Sequence, residues 1–274
     1  MAEAVLDGVT IAYDDIGEGR DVAVFVHGHP FDRSMWSPQH RLFAATGWRA
    51  IIPDLRGYGQ SSVVPGRTGL DDFARDIAAL ADHLGIARFV IAGLSMGGQI
   101  AMEACRLYPD RIRGLVLAAT FPQAETPLGK AHRNAMADRL LCEGMEPYAR
   151  EVLPKMIAPR TIETLPSVAG KVLAMMMAAH PTGAAAALRG RAERPDYAKT
   201  LANVAVPALV VVGDADAFTT RSDAERMRDL LKNSRLVWME GVGHMPNLER
   251  DAEFNAELTA FFNSISTRGQ EIAA

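Results

Sequence analysis

The sequence predicts an α/β protein built on a mostly parallel sheet, and three observations carry that expectation. Short β-rich runs alternate with helical patterns through the first 120 residues, the alternation resumes after residue 203, and the run at 113–118, R-G-L-V-L-A, is apolar nearly throughout. Alternation of strand and helix supplies the crossovers that parallel strands need, and a near-continuous apolar run suits a strand covered on both faces.

The first extended segments are predicted at 9–13, 22–26 and 50–52. A helix follows at 70–84, because Leu70, Phe73, Ile77, Leu80 and Leu84 recur every three or four residues while Asp71, Asp72, Arg75, Asp76 and Asp82 take the other face. It should cover the sheet. Residues 88–92 form another β-rich run, after which Ile100, Ala104 and Leu107 keep helical spacing until Pro109 stops the pattern.

Residues 121–203 are rich in Ala, Met, Arg and Pro and hold no β-branched run of strand length, so they read as a helical insertion. Met136, Met145, Met156, Met175, Met176 and Met177 make the insertion methionine-rich. Methionine fills core gaps and also makes adaptable apolar surfaces over pockets, and both roles are open here. The α/β pattern returns with a strand at 208–212, a helix at 222–233, a strand at 236–239 and a helix at 252–262, with Ser222 and Glu225 spaced as a capping box. The core therefore comprises 1–120 and 204–266, and 267–274, which lack an apolar pattern, are expected to be a disordered tail.

At 274 residues and 49% hydrophobic content the chain can bury a sizeable core. Its net charge of −4 comes from 33 acidic and 29 basic residues scattered along the chain, leaving no basic stripe for a nucleic acid partner. Glu3, Asp7, Asp14 and Asp15 occupy the start, where a secretory signal would be basic and then apolar, and the apolar stretch 172–188 is interrupted by His180, Pro181 and Gly183. A cytoplasmic protein with no membrane partner is expected. Cys105 and Cys142 form no C-x-x-C pair and read as reduced thiols. Oligomeric state leaves no mark on the sequence.

Gly93-Leu94-Ser95-Met96-Gly97 lies between a strand and a helix. Glycines two positions either side of a serine permit a tight strand-to-helix elbow that exposes its hydroxyl, which nominates Ser95 as a nucleophile. The following helix turns free N–H groups and its positive dipole end toward developing negative charge. A serine needs a base, and the base an orienting acid. Of seven histidines, His244 stands out, in the loop G-V-G-H-M-P between a strand and the last helix; His83 lies on a helix, and His40, His132 and His180 have no strand-end position. The acid is Asp214 or Asp216, both in the loop G-D-A-D-A-F after a strand, and spacing does not choose between them. Oxyanion donors are expected at the Met96 N–H and, because Pro30 has none, at the His29 N–H in His27-Gly28-His29-Pro30-Phe31.

Taken in order, His27-Gly28-His29-Pro30, the loop Pro53-Asp54-Leu55-Arg56-Gly57-Tyr58-Gly59-Gln60-Ser61, and the elbow Gly93 through Gly98 resemble the α/β-hydrolase family, in its serine esterase and perhydrolase-like branch. The resemblance implies the α/β-hydrolase fold, with residues 121–203 as a cap after the sixth strand. It also implies Asp216 as the acid and His244 as the base, with Asp54 and Arg56 stabilising a loop. His29 stands where family members often carry a small or aromatic residue, and its side chain either enters the pocket or folds over the loop.

These assignments imply a serine hydrolase with catalytic Ser95, Asp216 and His244, oxyanion donors His29 and Met96, and Phe31, Phe121, Met145 and Met245 against a small, largely apolar substrate. Its partners would be an ester or lactone and water, with no metal or organic cofactor required. Lactone opening, carbon–carbon bond hydrolysis and peracid formation use similar triads, and a slow-turnover small-molecule receptor is the rival of another class.

Overall fold

In the computed structural model, which describes residues 1–266, the apolar runs become strands of one eight-stranded sheet. The strands are β1 (Ala2–Leu6), β2 (Val9–Ile16), β3 (Asp21–Val26), β4 (Trp48–Pro53), β5 (Phe89–Leu94), β6 (Ile112–Ala118), β7 (Ala208–Gly213) and β8 (Ser234–Met239). Their order is β1-β2-β4-β3-β5-β6-β7-β8. The β1–β2 and β2–β4 pairs are antiparallel, and every later pair is parallel. β3, β5 and β7 are buried at every residue, which is why they carry no polar alternation. β1 is not among the strands expected from sequence: it is short, its burial alternates, and Val5 is exposed, as befits an edge strand.

The sheet is flanked by helices α1 (His40–Thr46), α2 (Leu70–His83) and α3 (Met96–Leu107), and after β7 by α10 (Arg221–Leu230), α11 (Pro246–Glu249) and α12 (Asp251–Ile265). The apolar stripe expected on α2 is buried at Leu70, Phe73, Ile77 and Leu80. An aromatic cluster joins β3 and β4 to the terminal helix: Phe25 meets Trp36 and Phe43 edge-on, and Trp48 lies 4.7 Å from Phe262. The capping box of α10 is formed by Thr220 and Asp223, two residues before the Ser222–Glu225 pair expected from sequence. Asp223 reaches both the N–H and the hydroxyl of Thr220, so the helix starts one residue before Ser222.

Between β6 and β7 lie α4 (Pro127–Glu143), α5 (Met145–Met156), α6 (Pro159–Thr164), α7 (Pro166–Ala178), α8 (Pro181–Ala192) and α9 (Ala198–Asn203). The prolines of this segment punctuate it. Pro127, Pro159, Pro166 and Pro181 each open a helix, where the missing N–H costs nothing and the fixed φ fits the first turn. α4 packs along α8 and α5 along α7, while α9 returns to α3 and α10. The tail expected at 267–274 lies outside the described residues. Cys105 is buried and Cys142 exposed, and both are free thiols. Among the described residues, no helix is long and apolar enough to cross a membrane.

Because β3 and β5 to β8 run in the same direction, their carboxyl ends share one edge. Val26 pairs with Gly93, Leu94 with Ala118, and Gly213 with Met239. The loops leaving those ends are where an open parallel sheet gathers its chemistry.

Candidate active site

Ser95 follows β5 directly and takes φ 57, ψ −115, a left-handed-side conformation that side-chain-bearing residues seldom adopt. Its neighbours hold it there. The Ser95 N–H donates to Ala118 O at 2.9 Å, and the Ser95 carbonyl accepts from Gln99 N at 3.2 Å and from the Thr120 hydroxyl at 2.8 Å. The elbow also needs bare glycines: a Cβ on Gly93 would stand 2.1 Å from Gly97 O, and one on Gly97 would stand 2.1 Å from Val26 O.

The loop after β3 runs beside this serine, close enough that a Cβ on Gly28 would lie 3.3 Å from the Ser95 Cβ. His27 fixes the loop. Its Nε2 accepts from Leu55 N at 2.9 Å, so Nδ1 carries the proton and donates to Gly28 O at 2.9 Å. Burial, partly offset by the charge of Asp54, lowers the His27 pKa and keeps the ring neutral. Asp54 is buried and accepts from the Arg33 N–H at 2.7 Å, the Gln60 N–H at 2.8 Å and the Arg33 guanidinium, while Arg56 grips Asp76 with two bonds of 2.6 and 2.5 Å. These contacts hold the 53–61 loop under the site. Neither the His29 N–H nor the Met96 N–H, the first of α3, donates a recorded hydrogen bond among the described residues.

The loops after β7 and β8 bring an acid to a base. Both carboxylate oxygens of Asp216 lie 2.9 Å from His244 Nδ1, and the carboxylate also accepts from the N–H groups of Phe218 at 2.8 Å and Thr219 at 3.2 Å. Burial opposes its charge, but the His244 ring and the two N–H groups outweigh it and hold Asp216 below the ordinary aspartate value. Asp214 serves a different purpose, accepting the Gly241 N–H at 2.7 Å and so tying the two loops together.

Ser95, His29 and His244 line one cavity of about 400 Å³, within the range of small-molecule sites. The Ser95 hydroxyl makes no hydrogen bond among the described residues, to His244 or to any other group, and what the two side chains share is the cavity they line. A second cavity, about 920 Å³, lies by Cys105, Pro109 and Lys199, away from the strand-end loops, and includes none of these groups. Among the described residues no cluster of three or more His, Cys, Asp or Glu could hold a metal ion.

Of the side chains expected to meet substrate, Phe121 lines the cavity, with Arg194 stacked on its ring at 5.1 Å. Phe31, Met145 and Met245 do not: they are 1%, 4% and 0% exposed and pack into the hydrophobic core. Phe31 and Met245 stand close in sequence to His29 and His244, and Met145 opens α5, but none of these placements aims a side chain at the cavity, and burial in the core removes more apolar surface from water. The walls instead include residues that sequence reasoning passes over or sets aside: Gln99, Tyr148, Arg191, Phe218 and His132. A signal for some of them is present. Gly129, His132, Arg133 and Met136 recur at one face of α4, and Tyr148, Glu151, Val152, Lys155 and Met156 at one face of α5.

A strained serine at the end of a central strand, beside a carboxylate-oriented histidine at one cavity, defines a hydrolase-type site. The chain belongs to the alpha/beta hydrolase family, whose model matches residues 23–257. A thermophilic esterase from Thermogutta terrifontis, solved with malate bound, superposes with a TM-score of 0.93 at 34% identity, covering 97% of this chain and 99% of that one. The 3-oxoadipate enol-lactonase 2 of Acinetobacter baylyi is 28% identical over 254 residues, 92% of each chain. A non-heme haloperoxidase of Rhodococcus erythropolis is 29% identical over 279 residues, 94% of this chain and 97% of that one.

Proposed function

We propose that this protein hydrolyses carboxylic esters of small, largely apolar substrates, with Ser95 as nucleophile, His244 as general base and Asp216 as its orienting acid. The reading rests above all on the Asp216–His244 pair, which opens onto the same cavity as the serine of the strained elbow. With Nδ1–H committed to Asp216, Nε2 is free to take the Ser95 proton as Oγ attacks the ester carbonyl. The N–H groups of Met96 and His29 receive the oxyanion, a contribution of about 3 kcal/mol for each donor. His244 then protonates the leaving alcohol, and water repeats the cycle on the acyl-enzyme.

Residues 121–203 act as the cap, placing Phe121, Met136, Val152, Met156 and Leu188 around the acyl and alcohol groups. Lactone opening breaks the same bond by the same steps and is the second reading, favoured by the enol-lactonase relative.

The test is a panel of p-nitrophenyl esters and simple lactones on wild type and Ser95→Ala, with labelling by a serine-directed phosphonate. Many turnovers per chain are expected, with a loss of about 10⁴-fold or more in Ser95→Ala. Absence of turnover and of labelling, alongside tight ligand binding, would instead make the protein a small-molecule receptor.

A further inference from the structure

Arg191 is the one charged side chain of the cavity wall that is both deeply buried and without an acidic partner among the described residues. It is 7% exposed, and its one recorded side-chain bond runs from Nε to Gln99 Oε1 at 3.2 Å. Gln99 sits one turn along α3 from Ser95, so the guanidinium is tethered beside the nucleophile.

The charges around it do not balance. Arg133 and Arg194 both bind Glu125, at 2.8 Å for Arg194, which leaves three guanidiniums with one carboxylate. Burial makes the Arg191 charge costly, and repulsion from Arg133 and Arg194 adds to that cost. An arginine does not escape such a cost by losing its proton. Its place in the last turn of α8 contributes only the partial negative charge of a helix end, about half an elementary charge.

Nor can the side chain swing out easily, because α8 is seated on the core by its backbone. Thr68 N donates to Ala186 O at 3.0 Å, and a Cβ on Gly190 would fall 1.6 Å from Thr68 O. A second polar side chain stands on the same wall. His29 is 3% exposed, its Nδ1 shares a hydrogen bond of 2.7 Å with the Tyr58 hydroxyl, and its Nε2 has no partner.

We infer that Arg191 receives a free carboxylate carried by the substrate, so that the preferred ester or lactone is apolar along most of its length and anionic at one end. This rests on the hydrolytic reading of the same cavity. A planar carboxylate matches the two unbonded guanidinium nitrogens of Arg191, which lie side by side in the plane of the guanidinium. Binding the carboxylate neutralises Arg191 while the ester carbonyl lies at Ser95.

The experiment compares p-nitrophenyl hydrogen succinate with p-nitrophenyl butyrate, which have the same acyl length and differ by one carboxylate, each corrected for its rate in buffer. In wild type, kcat/KM for the anionic ester is expected to exceed that for the neutral one by about 10-fold or more, chiefly through KM, and added salt should narrow the gap. Arg191→Met should lower the ratio by about 30-fold or more, and Arg191→Lys should restore part of it. A ratio at or below one in wild type, or one unmoved by Arg191→Met, overturns the inference.

Binding of succinate against succinamide, measured by calorimetry on wild type and Ser95→Ala, needs no turnover and no substitution at Arg191. Preference for succinate supports the anion site even if no ester is cleaved, in which case the hydrolytic reading alone fails. Equal binding of the two, alongside active ester turnover, removes the anion site and leaves the hydrolase. Inorganic phosphate competing better than succinate would also overturn the assignment to a carboxylate.

Discussion

His244 Nδ1 lies 2.9 Å from both oxygens of the Asp216 carboxylate, whose side chain is wholly enclosed. Asp216→Asn keeps the shape but turns one oxygen into a donor that favours the Nδ1-unprotonated tautomer. The proton then sits on Nε2, where a base for Ser95 is needed. A loss of about 10³ to 10⁴ in kcat is expected in steady-state ester hydrolysis, with KM moved only a few-fold. Asp214→Asn is the contrast: it weakens the bond to Gly241 N, so melting should shift by the equivalent of about 1 kcal/mol while kcat stays within a few-fold.

Acid should loosen the helical segment between β6 and β7 through Glu125. Partial burial opposes its charge, but Arg133 and then Arg194 hold its pKa down at about 2, against an ordinary value of 4.5. A depressed pKa stabilises the folded state fully above the unfolded value, and that contribution is lost as pH falls from 4.5 toward 2. The melting temperature of wild type should exceed that of Glu125→Gln at pH 7, and the gap should close over that window. A gap that is independent of pH would mean the two ion pairs contribute nothing.

Glu249 couples the histidine loop to the helices above it. Buried at 2% exposure, it accepts from the Ala158 N–H at 2.8 Å, the Thr161 hydroxyl at 2.7 Å and the Met245 N–H at 3.1 Å. Glu249→Ala strands all three donors, and a stranded buried donor costs about 1 to 3 kcal/mol. Denaturant unfolding should show about 3 kcal/mol or more of destabilisation, and kcat should fall as His244 loses its anchored neighbour. Thr161→Val removes one bond and should cost about 1 kcal/mol.

Much of the sheet was readable because its strands are buried on both faces: beyond Asp21 at the start of β3, strands β3, β5 and β7 carry no polar side chain, and their ends carry the loops with Gly28, Ser95 and Asp216. Ser95 and His244 stood out because strand-end loops and glycine spacing are local properties. Arg191 did not, since its importance arises from Gln99, 92 residues away, and from arginines competing for Glu125. Sequence marks such a residue only as one of many arginines in a basic, alanine-rich stretch. Glu249 was hidden for the same reason, its three donors coming from two separate segments.

The elbow makes a last prediction, on folding rather than chemistry. Gly97 is in α3, where alanine is normally the better helix former by about 1 kcal/mol. Here the added methyl would lie 2.1 Å from Val26 O and 2.8 Å from His27 O, both backbone atoms of the strand and loop beneath. Neither can yield without shifting the His29 loop away from Ser95. Gly97→Ala should therefore destabilise by about 3 kcal/mol or more despite the gain in helix propensity. Chemical denaturation gives the sign directly, and a variant as stable as wild type would mean that α3 and β3 part more easily than their contact implies. Where Gly97→Ala still folds, its ester turnover should fall with it, because the same displacement moves the His29 N–H from the position proposed for the oxyanion.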